Sequence, residues 1–263
     1  MFTIGADPEL FLCNRKGLVS SIGLIGGTKE DPQYQGNGIY VQEDNVAAEY
    51  NIPPCFTKQE FIYSITKGRD VLGELAKKHK LNLASVASGV FKDMYLRHPN
   101  AIRFGCDPDF NAWTGKINEP PKTENKNFRT CGGHVHIGID ADNEIIANTS
   151  LEKAAFARVF DLFLTLPSLF LDKDEERRLL YGKAGSYRNK DYGLECRTLS
   201  NFWIFDEKLI SWVYDSTIHA CSWVLEHGEV YMSDADDIQG SINKQDKTTA
   251  IKLMKKYGVV WEV

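Results

Sequence analysis

The chain has 263 residues, 43% hydrophobic and 25% charged: enough to bury a core in one or two domains, and unlike a disordered, collagen-like or disulfide-stapled chain. Lys and Arg number 31 against 36 Asp and Glu, a formal charge of -5, which argues against a nucleic-acid binder relying on overall positive charge. The six cysteines form no C-x-x-C pair, which suits reduced, buried thiols in a cytoplasm.

In chain order, residues 1–12 hold no basic segment followed by an apolar run, so no secretory signal is expected and a cytoplasmic setting is. Residues 4–11 read as a strand, in which side chains two apart share a face: Asp7 and Glu9 on one, Ala6, Pro8 and Leu10 on the other. Residues 26–38 read as a long loop. A second strand over 46–52 puts Glu49 and Asn51 opposite Val46, Ala48, Tyr50 and Ile52. Thr57-Lys58-Gln59-Glu60 is a capping box, and Phe61, Ile62, Ile65, Leu72 and Leu75 follow at helical spacing, predicting a helix that ends near Lys80.

Asp107, Asp109 and Trp113 fit either an acceptor pocket or an Asp-Pro turn with the indole packed beneath it. After a loop at 114–129, residues 133–139 read as a strand with His134 and His136 on one face and β-branched residues on the other. Ser150 is positioned to cap a helix carrying Phe156, Val159, Phe160, Phe163 and Leu164. The apolar stretch 159–171, interrupted by Asp161 and Pro167, is shorter than the roughly 20 residues that span a bilayer and reads as a buried helix, with no membrane partner expected.

A loop over 172–192 holds Arg177, Arg178 and the glycine-rich run Gly182-Lys183-Ala184-Gly185 leading to Arg188 and Lys190. It reads as a phosphate clamp or as a solvated loop paired with Asp172, Asp174, Glu175 and Glu176. No G-x-x-x-x-G-K-[ST] is present, so the phosphate device is not a P-loop. A strand over 194–199 puts Glu195 and Arg197 opposite Leu194 and Cys196. Asp206 then opens a helix stopped by Gly228, and a weaker helix is expected over 244–257.

Helices and strands are partly segregated, so the predicted class is α+β: one domain over 1–263, with 206–263 as a helical buttress. If the four strands share a sheet, one face packs on helices and the other gathers carboxylates, two imidazoles and an arginine with almost no lysine. A merely wet face would favour Lys, Thr and Ser. Asp7, Glu9, Glu49 and Glu195, with an imidazole from His134 or His136, suit hard cations such as Mg²⁺, whereas zinc would want more nitrogen or sulfur. The same groups would also serve a metal-dependent hydrolase or a non-catalytic nucleotide- or peptide-binding protein.

The ordered set Gly5-Ala6-Asp7-Pro8-Glu9, Glu49-Tyr50-Asn51, Gly105-Cys106-Asp107-Pro108-Asp109, Arg129-Thr130-Cys131-Gly132-Gly133-His134-Val135-His136-Ile137-Gly138, Gly185-Ser186-Tyr187-Arg188 and Gly193-Leu194-Glu195-Cys196-Arg197 resembles bacteriophage COOH·NH2 ligases. These are amidoligases of the glutamine synthetase and glutamate–cysteine ligase superfamily, and the resemblance spans about residues 2 to 205. It implies a curved, mostly antiparallel sheet with helices on its convex face. It also implies binding of ATP and Mg²⁺, with Mn²⁺ as an alternative, and amide formation between a carboxylate and an amine through an acyl phosphate.

By motif, the resemblance makes Asp7, Glu9, Glu49, His134 and Glu195 metal ligands. His134, His136, Arg188 and Arg197 would face the nucleotide, joined by Lys183 on the reading of the glycine-rich loop as a phosphate clamp, and Arg188, Arg197 and Glu195 would act in catalysis. Implied partners are a carboxylate and an amine on an amino acid, peptide, protein or cell-wall fragment, in an infected bacterial cytoplasm.

Overall fold

The computed structural model describes residues 2–102, 109–139, 150–228 and 232–261. Eight strands form the main sheet: β1 (Phe2–Leu10), β2 (Gln33–Tyr34), β3 (Tyr40–Asp44), β4 (Ala47–Asn51), β5 (Phe110–Asn111), β6 (Gly133–Ile139), β7 (Ser186–Lys190) and β8 (Gly193–Cys196). Their order is β2-β3-β4-β1-β6-β8-β7-β5, and every neighbouring pair is antiparallel. Smaller sheets pair Ser88–Val90 with Phe128–Thr130, and Leu12–Asn14 with Gly17–Val19 and Asn82–Leu83.

Alternation decides which face of the large sheet is covered. Ile4, Ala6 and Leu10 of β1, Ala48 and Tyr50 of β4, Val135 and Ile137 of β6, and Leu194 and Cys196 of β8 are buried in one apolar cluster. The cluster includes Phe61, Ile65 and Leu72 from α1 (Lys58–Lys78), Phe156, Val159 and Phe160 from α2 (Ser150–Phe160), and Ile210 and Val213 from α3 (Glu207–His227). Fully burying each such side chain is worth about 1.5–3 kcal/mol relative to leaving it exposed. This burial drives the helices onto that face and leaves the opposite face to the polar residues.

The element boundaries have local causes. The capping box forms, with Thr57 Oγ1 accepting from Glu60 N and Glu60 Oε2 accepting from Thr57 N, and α1 ends at Lys78. Asp206 Oδ1 caps α3 through Lys208 N, and Gly228 ends it at φ 80°. α2 runs on through a π-helical turn, Asp161–Thr165, into Leu166–Leu171. The Ser150 cap lies outside the described side chains. The helical segment Glu152–Leu171 is long and apolar enough to cross a membrane, but 78% of that window is buried inside the protein, consistent with a core helix.

Several expectations are corrected: the loop expected over 26–38 contains β2, and the loop expected over 114–129 ends inside the strand Phe128–Thr130. The helix expected over 244–257 is α5 (Lys247–Tyr257), and a helix that was not expected, α4 (Ala235–Lys244), precedes it. Gln245 between them takes a left-handed φ of 58°, and Asp246 caps α5 through Thr248 N and Thr249 N. The loop expected over 172–192 contains β7 and a helical turn at Arg177–Leu180. The last strand ends at Cys196, so Arg197 lies just beyond it, with its N–H bonded to Ser186 O. The five described cysteines are all free, four of them buried.

Candidate active site

Three neighbouring strands set carboxylates side by side. Glu9 on β1 pairs directly with Glu49 on β4, and Glu49 pairs with Gln42 on β3. Asp44 is two residues beyond Gln42 and shares its face. Oxygens of Glu9, Asp44 and Glu49 all lie within 4.8 Å of one another. Gln42 Nε2 donates to Glu49 Oε1 at 2.9 Å, and Gly132 N donates to Glu9 Oε2 at 2.7 Å.

Burial pushes Glu49 well above the usual carboxylate range, and the charges of Asp7, Asp44, Glu9 and Glu195 add to the rise. Burial also raises Glu9, against His134, and raises Asp44, against Lys29.

A second row runs through His136 on β6, Glu195 on β8 and Arg188 on β7, all in register. Asp7 joins it from β1: its Oδ1 lies 3.2 Å from His136 Nε2 and 3.3 Å from His134 Nδ1. Asp7 Oδ1 and His136 Nε2 are buried without a well-directed hydrogen bond, and with Glu195 they form the second group of donors within 4.8 Å. Tyr192 Oη lies 2.6 Å from His136 Nδ1, orienting the ring.

Glu195 is fully buried and ringed by cations: Lys190 Nζ at 2.8 Å, Arg188 Nη1 at 3.4 Å, and a hydrogen bond from Arg197 Nη1. Burial and Asp7 push its pKa up, but Arg197, His134 and His136 outweigh them and bring it down to about 2. Asp7 behaves alike: burial raises it, yet His136 and His134 hold it well below the usual range, while Asp7 raises His136 against that ring's own burial. Arg197 also reaches Asp109 Oδ2, at 3.6 Å from Nε.

The glycines of the His134 segment have a steric reason. A Cβ on Gly132 would collide with the His134 ring, so only glycine lets this backbone pass beneath the imidazole and donate to Glu9. Beside Glu9 and Asp44 a cavity of about 90 Å³ opens, with Arg129, Arg177 and Arg197 among its polar walls and Phe11, Val46 and Phe128 among its apolar ones.

The sequence-predicted acids and imidazoles therefore meet on one face, sorted into two groups: Glu9 and Glu49 with Asp44, and Asp7 with His136 and Glu195. His134 stands between them, within 3.6 Å of Glu195 and 3.4 Å of Arg197. Lys183 is not among the residues lining the cavity. Arg178 is tied to Gly182 O and Ser168 Oγ at 2.9 and 3.0 Å, a structural brace rather than a phosphate clamp. Trp113 donates to the buried Asp161 at 2.7 Å, so its indole serves packing, whereas Asp109 faces the site. Asp107 lies outside the described residues.

Sequence reading missed Asp44, Gln42 and Tyr192. The signal for the first two was a tight hairpin: Asn45, at φ 56°, turns the chain so that Asp44 pairs with Ala47.

Residues 124–236 match the family model described as phage phiEco32-like COOH·NH2 ligase, type 2. That span carries His134, His136, Arg177, Lys183, Arg188, Glu195 and Arg197, while Asp7, Glu9, Asp44 and Glu49 precede it. No curated protein matches the chain.

Proposed function

We propose that this chain, which its matched segment assigns to the amidoligase family, is an ATP- and Mg²⁺-dependent ligase joining a carboxylate to an amine through an acyl phosphate. The family assignment supports ligase chemistry with carboxylate and amine substrates. The observation that carries the finer reading is the convergence of Glu9, Asp44 and Glu49 beside a ring of cations around Glu195.

The all-oxygen set Glu9, Asp44 and Glu49 fits Mg²⁺ or Mn²⁺. Burial raises all three pKa values, with the charge of neighbouring carboxylates adding to it, and a divalent ion would offset that rise. Asp7 and His136, with Glu195, form a second donor set, in which Glu195 is already neutralised by Lys190, Arg188 and Arg197. When bound, the metal would screen phosphate charge.

The protein's own groups have separable roles in this reading. Arg188 and Arg197, held rigid by Glu195, stabilise charge on a phosphoryl group as it transfers. The row from Glu9 to Gln42 fixes the acids in register, so reacting oxygens are held in line rather than found by collision. The amide step needs a neutral amine, and a carboxylate of this face that does not hold the metal is suited to taking its proton. A cytoplasmic setting and a glutamine synthetase-like sheet belong to the same proposal.

The test is trapping: the full chain is incubated with ATP, Mg²⁺, hydroxylamine and a panel of carboxylates, and hydroxamates are detected by mass spectrometry. Acid-dependent hydroxamate with matching ADP release supports the reading, and ADP release independent of any acid contradicts it.

A further inference from the structure

The cavity beside the acid cluster contains a buried cation for which the phosphoryl-transfer reading has no use. Arg177 is 4% exposed, and its Nη1 donates to Thr198 O at 3.1 Å. Its Nε is buried without an acceptor, and no carboxylate lies within 4 Å of it among the described residues. Burial lowers its pKa, with Glu9 the first charge to oppose that effect.

A buried guanidinium without an anion is costly, and folded proteins usually pair such charges. Arg129 lines the same cavity, oriented by the carbonyls of Lys126, Phe128 and Ala101 at 2.7, 2.9 and 2.8 Å. Two guanidinium groups thus meet an apolar wall of Phe11, Val46 and Phe128, in a cavity that also borders Glu9 and Asp44.

We infer that this cavity is a subsite for a second oxyanion on the acid substrate: the carboxylate that reacts lies at the acid cluster, and a further carboxylate or phosphate of the same molecule is held by Arg177 and Arg129. The inference deepens the ligase reading and rests on it for the reacting end. The walls set the class, because guanidinium forks bind planar oxyanions bidentately and Phe11, Val46 and Phe128 accommodate a short hydrocarbon spacer between the two charges.

The test uses the full chain with Mg²⁺ and a non-hydrolysable ATP analogue. Succinate, glutarate and adipate are titrated by calorimetry against butyrate, valerate and caproate, which match them in length but lack the second charge. Phosphonate-ended analogues form the second arm. At least one dianion is expected to bind on the order of tenfold more tightly than its monoanion, with the carboxylate and phosphonate arms identifying the oxyanion. Arg177→Gln is expected to collapse that ratio toward unity.

Should that variant not fold, phenylglyoxal labelling of wild type gives the same answer: the preferred dianion protects Arg177 and the monoanion does not. Equal binding of dianions and monoanions, or dianion binding without protection of Arg177, overturns the inference. A nucleotide analogue that fails to bind counts against the ligase reading instead, and the acid series repeated without nucleotide still judges the cavity.

Discussion

Asp44 belongs to none of the sequence motifs, yet it completes the oxygen set with Glu9 and Glu49. Asp44→Asn is therefore expected to weaken Mg²⁺-dependent nucleotide binding at least on the order of tenfold, with unchanged circular dichroism. An affinity within twofold of wild type would remove it from the set. The raised pKa values of Glu9, Asp44 and Glu49 also fix a pH dependence. These acids must lose their protons to bind a cation, so Mg²⁺ affinity should rise as pH climbs above the ordinary carboxylate range, with proton release seen as buffer-dependent heats.

Asp161 supplies a contrasting prediction away from the site. Fully buried, it accepts from Trp113 Nε1 at 2.7 Å and Gly185 N at 2.6 Å, yet burial raises its pKa from 3.8 to about 7. The folded state therefore holds a proton that the unfolded chain gives up. Stability should be fullest near pH 4 and fall as pH rises toward 7, then stop falling on that account. Urea titrations of wild type should show this slope and those of Asp161→Asn a shallower one, since the raised carboxylates of the site contribute in the same sense.

Much at this scale was legible, since period-two alternation alone placed Asp7 with Glu9, His134 with His136, and Glu195 with Arg197. Asp44 was not, because a single acid before a turn looks like turn chemistry until its partner strand is known.

Among the elements, those with side-chain punctuation were readable. Thr57 and Glu60 announced α1, and Asp206 with Gly228 bounded α3. α4 was hidden because its start has no side-chain cap hydrogen bond, and β7 was hidden because Arg188 and Lys190 read as loop.

The entry to β7 carries its own prediction. Gly185 sits at φ 72°, and an added Cβ would lie 2.6 Å from Trp113 Cδ1 and 3.0 Å from Ala112 N. Gly185→Ala combines left-handed strain with that overlap, and should cost about 1–3 kcal/mol in chemical denaturation while displacing Arg188 downstream. A loss below about 0.5 kcal/mol would show that the turn relaxes freely.

At the scale of the whole molecule, the sheet divides labour between its faces. Ile4, Val135, Ile137 and Leu194 are fully buried against the helices, which leaves the polar face free to hold groups that would be costly in a core. The partition was visible in the sequence, whereas strand order was not, because β1 takes β4 and β6 as its neighbours and both are distant in the chain. That order brings Glu9 beside Glu49 and Asp7 beside the two histidines.

The proposed function requires this polar face to bind a metal–nucleotide complex. The most direct measurement is calorimetric titration of ATP into wild type and Glu49→Gln, each with and without Mg²⁺. Mg²⁺-dependent binding to wild type that is lost in the variant is the predicted result, and a folded wild type that ignores ATP in the presence of Mg²⁺ would contradict it.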